Sequence, residues 1–373
     1  MYLSSKIKKL STKIWALVVV ITLFFTNVSN SNASEEKHEN EKFNAGEMII
    51  EHIGDAYEWH IMNIGEKHIS IPLPVILLDE GKLVTFCSSK FHHGKESYNG
   101  YKIAHEGKYK GKIVKITTSE TGEEKEIRPI DLSITKLVLS LFISVFLISW
   151  LFISISRSYR KRGMAAPKGL QSLLEPIIIF VRDDIAKSSV GEKKYQKYLP
   201  FLLTIFFFIF LNNLLGLVPF FPGGANLTGN IAVTLTLAVF TFIITTVSGN
   251  RAYWTHIVNA PGVPWWLKIP VPLMPIVELV GVFTKPFVLM VRLFANITAG
   301  HIIALGFISL IFIFGEMKPA LGYGVSIVSV IFYVFMGLLE LLVAFIQAYV
   351  FTLLSALYFG MAIEEHHHAE EHH

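Results

Sequence analysis

The sequence predicts a mainly α, polytopic membrane protein with five membrane-crossing helices, the last two forming a long, steeply tilted antiparallel hairpin, together with a small exported β-rich N-terminal domain. Three observations carry that prediction. Of 373 residues, 52% are apolar and 13% aromatic while only 17% are charged, the balance of a chain whose solvent is largely lipid. Apolar runs long enough to span a bilayer recur between short polar breaks. The cations gather beside those runs, which reads as membrane topology, and the formal net charge of +4 is too modest to suggest nucleic acid as a partner.

Residues 1–33 carry Lys6, Lys8, Lys9 and Lys13, an apolar core from Ile14 to Phe25 and the small-residue exit Ser31-Asn32-Ala33, the pattern of a cleavable secretory signal. The alternative is an uncleaved signal anchor, against which the short core argues. Residues 34–130 then lie outside. Their short β-branched runs, His68 to Leu78, Lys82 to Phe86 and Lys112 to Ile116, are bounded by Gly, Asp and Ser and read as strands. Helical spacing of Met48, Ile49, His52 and Ile53 predicts a helix somewhere in Gly46 to Ile61. The histidines here form no tight ligand pattern, so no metal site is expected. The single cysteine, Cys87, can make no internal disulfide and is expected as a packed strand residue.

Residues 131–363 hold the membrane domain. Leu137 to Ser156 gives the first span, and Arg157, Arg160, Lys161, Arg162 and Lys168 follow at once, marking the cytoplasmic side. Leu170, Leu173, Leu174, Ile177, Val181 and Ile185 recur at helical spacing among charges, an amphipathic helix expected along the cytoplasmic surface with Pro176 as a kink. The second span runs from about Leu199 to Val218 and carries Asn212 and Asn213 near its outer end; the third runs from about Ile231 to Val247. Two longer apolar segments remain, Val271 to Phe314 and Leu321 to Ile363, parted by the turn 315–322. As continuous helices each is on the order of 60 Å long, about twice the ~30 Å hydrocarbon thickness, so they cannot stand upright. Residues 364–373, rich in Glu and His, end the chain as a cytoplasmic tail, for which solvation is favoured over metal binding.

Within the hairpin, Arg292 stands at bilayer depth. A guanidinium cannot shed its proton there, and the position costs roughly 2.5–3.5 kcal/mol on insertion scales, so Arg292 requires an anionic partner and a function. Glu278, Lys285 and Arg292 drift by only about 20° per heptad and share a face, with Asn296 one turn beyond and His301 on the opposite side. On the second helix Glu340 and Gln347 share a face. The antiparallel register that sets Arg292 level with Gln347 also sets His301 level with Glu340, within roughly 3 Å along the axis, and the two levels are roughly 13 Å apart. For Lys285 the alternative to a functional role is snorkelling to the interface, for Glu278 pairing with Lys285, and for Gln347 interhelical hydrogen bonding.

These residues resemble subunit a of the F-type ATP synthase. The resemblance rests on Arg292-Leu293-Phe294-Ala295-Asn296 with Ala299-Gly300, on Glu278 and Lys285-Pro286, on Gln347-Ala348-Tyr349-Val350-Phe351, and on Asn226-Leu227-Thr228-Gly229-Asn230 entering the third span. It covers about residues 134–365. The exported segment is similar, more weakly, to the N-terminal extension of Bacteroidetes-type versions. Where some relatives carry an acid three residues before the proline ending the second span, this chain has Gly216, leaving Asn213 as the candidate for that part of the polar entrance. His301 and Glu340 stand in the reverse order from some bacterial relatives.

The resemblance implies a proton-channel stator subunit that is not catalytic alone, without cofactor or metal, partnered by a c-subunit ring, a b-subunit peripheral stalk and the rest of the synthase in the bacterial inner membrane. An outer half-channel would be lined by His301, Glu340, Asn296 and Asn213, an inner one by Glu278 and Lys285, with Gln347 near Arg292 and Arg292 between the two. The rival class, a freestanding channel or secondary transporter, would be expected to show internal repeats with interrupted helices, and the sequence displays none.

Overall fold

The computed structural model describes residues 43–64, 67–92, 94, 96–118, 124–162, 166–218, 221–258 and 273–364. The expected signal segment and the tail beyond Glu364 lie outside the described residues. The described residues from Asn44 onward form one compact unit.

The N-terminal part opens with helix α1 (Ala45–Ile53), whose N-cap Asn44 accepts a hydrogen bond from the Glu47 amide and which ends at Gly54. The predicted helix therefore stops short of Ile61: Glu58–Ile64 is strand β1, paired antiparallel with β2 (Lys67–Pro72). Trp59 explains the switch, because strand alternation lets it turn inward, where it is 2% exposed. Strands β3 (Pro74–Asp79) and β4 (Lys82–Cys87) form a hairpin whose two-residue turn, Glu80-Gly81, has positive φ at both positions, the geometry that matches strand twist. A later pair, β5 (Tyr101–Ile103) and β6 (Ile113–Thr118), is extended by β7 (Glu124–Ile127), while β8 (Ile130–Asp131) joins β3. Val75, Leu77, Phe91, Tyr101 and Ile113 close the small core. Cys87 ends β4 exposed, contrary to the packed position expected, since it falls on the outward phase of the strand.

Among the described residues five helices are long and apolar enough to cross a membrane, and the protein is a polytopic membrane protein. They are α2 (Lys136–Arg162), α4 (Tyr195–Leu217), α5 (Ile231–Ser248), α7 (Leu273–Met317) and α8 (Pro319–Ile363), with α3 (Leu170–Phe180) and α6 (Arg251–Val258) between them. The two hairpin helices, 45 residues each, run unbroken. At ~1.5 Å per residue each is over twice the bilayer's ~30 Å hydrocarbon core, so in a membrane they must lie steeply tilted.

The amphipathic segment is more deeply engaged than a surface helix. After Pro176 it widens into a π-helix over Val181–Lys187, and Val181, Ile185 and Ala186 are fully buried in the core built by α4 and α8, beside Phe206 and Phe359. Its polar side carries the ion pairs Arg182–Asp183 at 2.8 Å and Lys187–Asp183 at 2.7 Å. Gly360 permits this docking, for a Cβ there would meet the Ser189 carbonyl oxygen at 2.0 Å.

Candidate functional site

Helix α7 and helix α8 set the site by their register. Lys285 lies over the Tyr358 ring, His301 meets Glu340, Phe307 stacks on Phe332 at 5.1 Å, and Gly315 lies against Gly322 near the turn. The side chains therefore advance along one helix as they retreat along the other, the pairing shifting by a few residues between the Lys285 end and the turn. The meeting of His301 with Glu340 is the level read from the sequence.

At the level nearer the β-rich domain, His301 Nδ1 lies 3.2 Å from Glu340 Oε1. This is an ion-pair distance without hydrogen-bond alignment, and Oε1 is buried with no hydrogen-bond partner among the described residues. Two glycines shape the pair. A Cβ on Gly300 would stand 2.6 Å from Glu340 Oε1, so the carboxylate occupies space that a side chain would take. On the other side, Gly216 of α4 lies under the imidazole, where a Cβ would be 3.5 Å from His301 Nε2. Gly216 thus leaves room for a histidine arriving from α7.

Both side chains border a cavity of about 70 Å³ that is also lined by His52, Gly216, Asn226 and Tyr333. Such a space, polar on several sides, has room for several waters at about 10–15 Å³ each. The entry into α5 holds its far wall. Asn230 caps α5 by accepting from the Ala232 amide, Asn226 accepts from the Gly229 amide, and Thr228 Oγ1 donates to Asn213 Oδ1 at 2.5 Å. Asn213 in turn donates to the Ala344 carbonyl at 3.3 Å. Buried and bonded on both ends, Asn213 ties α4 to α8 and to the loop behind the cavity, and it is absent from the cavity lining. Asn212 is turned back onto the Phe208 carbonyl at 2.7 Å.

At the opposite level a second cavity, about 280 Å³, is lined by Tyr253, His256, Glu278, Lys285, Met361 and Glu364. Glu278 and Lys285 thus share one space. The Lys285 ammonium sits 5.5 Å from the Tyr358 ring centre, a cation–π contact. Pro286, in the interior of α7, cannot offer an N–H to the Val282 carbonyl, and Val282 is part of the same lining. Burial and the Glu278 carboxylate push the Tyr253 phenol up from its ordinary range, a sign that Glu278 reaches toward α6.

Between the two levels Arg292 is exposed, as are Ala295, Asn296 and Ala299 on the turns that follow it. Arg292 makes no hydrogen bond or ion pair among the described residues. Gln347 on α8 is 5% exposed and belongs to the packed side of the helix with Ala344, Ala348 and Phe351. Arg292 and Asn296 thus form one outward patch with small residues beside them, the composition that lets another helix come close in a membrane. Among the described residues no three of His, Cys, Asp and Glu converge as metal ligands.

Sequence reasoning missed His52, Asn226 and Tyr333 as wall residues of the first cavity and Tyr358 as the ring beneath the Lys285 ammonium. The contacts of His52 and Asn226 cross from other parts of the chain and leave no trace in spacing. Tyr333 and Tyr358 lie on the predicted helix, and its register would have reached them.

Comparison with known proteins finds two family matches along the chain. The family model described as ATP synthase A chain matches residues 138–360, and one described as a domain of unknown function matches residues 48–132. The chain is similar to "ATP synthase subunit a" of Chloroherpeton thalassium, 44% identical over 254 residues covering 66% of this chain and 72% of the relative. It is likewise similar to "ATP synthase subunit a 2" of Prosthecochloris aestuarii, 45% identical over 65% of this chain and 72% of the relative. "ATP synthase subunit a" of Myxococcus xanthus is 45% identical over 65% of this chain and 77% of its own length.

Proposed function

We propose a function that proceeds from membership: the chain belongs to the ATP synthase A chain family, and it serves as the stator half of the membrane proton path, passing protons through two half-channels to a rotating ring of c subunits. The observation that carries this reading is the order of groups along α7: an acid–imidazole cavity at one level, a lysine–carboxylate cavity at the other, and an outward-facing arginine between them. The topology follows from the cationic flank after the first span. The β-rich domain and the 315–322 turn face the periplasm, and the tail faces the cytoplasm. The His301–Glu340 cavity is then the entrance and the Glu278–Lys285 cavity the exit.

Protons reach Glu340 and His301 from periplasmic water and pass to a ring carboxylate in the membrane. The paired groups act together, since they stand 3.2 Å apart on one cavity. As a loaded ring site comes opposite Arg292, the fixed cation lowers the carboxyl pKa by about 1–3 units and drives release toward the exit cavity. The same charge prevents a proton from crossing directly between the cavities. Arg292 acts by electrostatics and carries no proton. Ala295 and Ala299 let the ring helix approach the guanidinium closely. The chain has no catalytic role by itself; the b-subunit stalk holds it against the torque of the ring.

A double-mutant cycle tests the entrance. Exchanging the pair, His301→Glu with Glu340→His, should recover more proton flux than either single exchange, at matched content of assembled complex. Strictly additive losses would show that the two side chains do not work as a unit.

A further inference from the structure

The N-terminal domain supplies none of the proton-transferring groups named so far, yet it is fixed firmly to the entrance. Asp55, between α1 and β1, accepts hydrogen bonds from the Ala56 amide at 3.0 Å and the Leu137 amide at 3.1 Å, so its carboxylate caps the N-terminus of α2, where anions are favoured. The Lys136 amide returns a bond to the Ala56 carbonyl at 2.8 Å, and Lys136 Nζ reaches the His52 carbonyl at 3.4 Å. Trp59 of β1 packs with Leu137, Ala225 and Leu227 and meets the Phe221 ring edge-on at 5.2 Å. These three ties join the domain to the first span and to the loop before the third. They hold α1 against the entrance, with His52 and Ile53 in the wall of the cavity that contains His301 and Glu340.

We infer that the N-terminal domain builds the outer wall of the proton entrance and brings His52 into the proton path as a proton-collecting group ahead of His301 and Glu340. His52 has one face open to solvent and another on the cavity, the placement such a group needs. The ionisable groups facing it are Lys136 of α2, His60 of β1 and His301 of α7, with Glu340 of α8 on the same cavity. Burial, followed by the positive influence of Lys136, His301 and His60, holds the His52 imidazole below its ordinary value. It is therefore neutral at physiological pH and has a ring nitrogen free to accept a proton from periplasmic water. The transient imidazolium, repelled by Lys136, returns the proton into the cavity, and no other bond is made or broken. A neutral imidazole is most useful where protons are scarcest, on the alkaline side.

This inference rests on the reading of His301 and Glu340 as the entrance, and one experiment separates the two. Whole ATP synthase carrying His52→Ala, His52→Gln or His301→Ala is reconstituted into liposomes, and potential-driven proton flux is measured at neutral and alkaline pH on the entrance side, with and without added imidazole. His301→Ala should stop flux. His52→Ala should lower it by about tenfold at alkaline pH, short of the ~10²-fold or more lost with an obligatory acid–base group, because the mouth is wet. Imidazole should restore the rate, and His52→Gln should not. Wild-type flux and pH profile in His52→Ala, with His301→Ala inactive, would overturn the inference and leave the entrance standing. A loss repaired by His52→Gln and indifferent to imidazole would overturn it too, showing a positioning role alone. Normal flux in His301→Ala would remove the entrance reading and the inference with it.

Discussion

A methyl group at position 300 would fall 2.6 Å from Glu340 Oε1, whereas one at position 216 would rest 3.5 Å from His301 Nε2, an ordinary contact. The two glycines that hold the acid–imidazole pair are therefore expected to differ sharply under the same substitution. Gly300→Ala should displace the carboxylate and cut proton pumping in inverted vesicles, with complex content unchanged; Gly216→Ala should pump close to wild type. Equal effects from both would mean that the pair is not seated as described. Of this pair the sequence showed the level but not the seat. Axial level follows from ~1.5 Å of rise per residue, so His301 and Glu340 could be matched by counting. The glycine clearances and the presence of His52 depend on how three separate segments converge, which no local periodicity encodes.

Between elements the same distinction holds. Unbroken apolar pattern was enough to predict two helices twice the bilayer thickness, and they run from Leu273 to Met317 and Pro319 to Ile363. The amphipathic segment was legible as a helix, but its π-helical turn and its burial under α8 were not, since the docking involves a close backbone approach of Gly360 to the Ser189 carbonyl that no local pattern encodes. Gly360→Ala should force these backbones apart and destabilise the bundle by about 1–3 kcal/mol, the usual cost of overpacking, read as a lowered melting temperature in detergent. In the β-rich domain, Lys115 Nζ is 2.7 Å from Asp79 Oδ2 and the Tyr101 hydroxyl donates to the same oxygen at 2.8 Å. The Lys115 contact first, then the Tyr101 hydrogen bond, holds the Asp79 carboxyl below the usual range. A carboxyl lowered in the folded state contributes stability above its unfolded value, about 3.9, and loses it as pH falls through the folded value. Asp79→Asn should therefore destabilise the domain at neutral pH and flatten the acid limb of its stability curve. Thermal unfolding across acidic pH checks both effects; an unchanged acid limb would remove Asp79 from the linkage.

For the whole molecule, orientation and gating are the claims at stake. Exposed Cys87 is a native reporter of orientation. An impermeant thiol reagent should label it from the periplasmic side and fail to label it in sealed inverted vesicles; the opposite pattern would invert the assignment of entrance and exit. Gating rests on Arg292, whose permanent charge faces outward between two cavities and makes energetic sense only opposite a carboxylate from another chain. Its insertion carries a cost that alanine relieves, so Arg292→Ala should assemble normally. Lysine should substitute poorly, being a compact charge that can lose its proton when desolvated. The most direct measurement is ATP synthesis driven by a proton gradient in inverted vesicles containing Arg292→Ala at matched complex content. The account predicts that coupled synthesis is abolished while the complex remains assembled; near-normal coupled synthesis would contradict it.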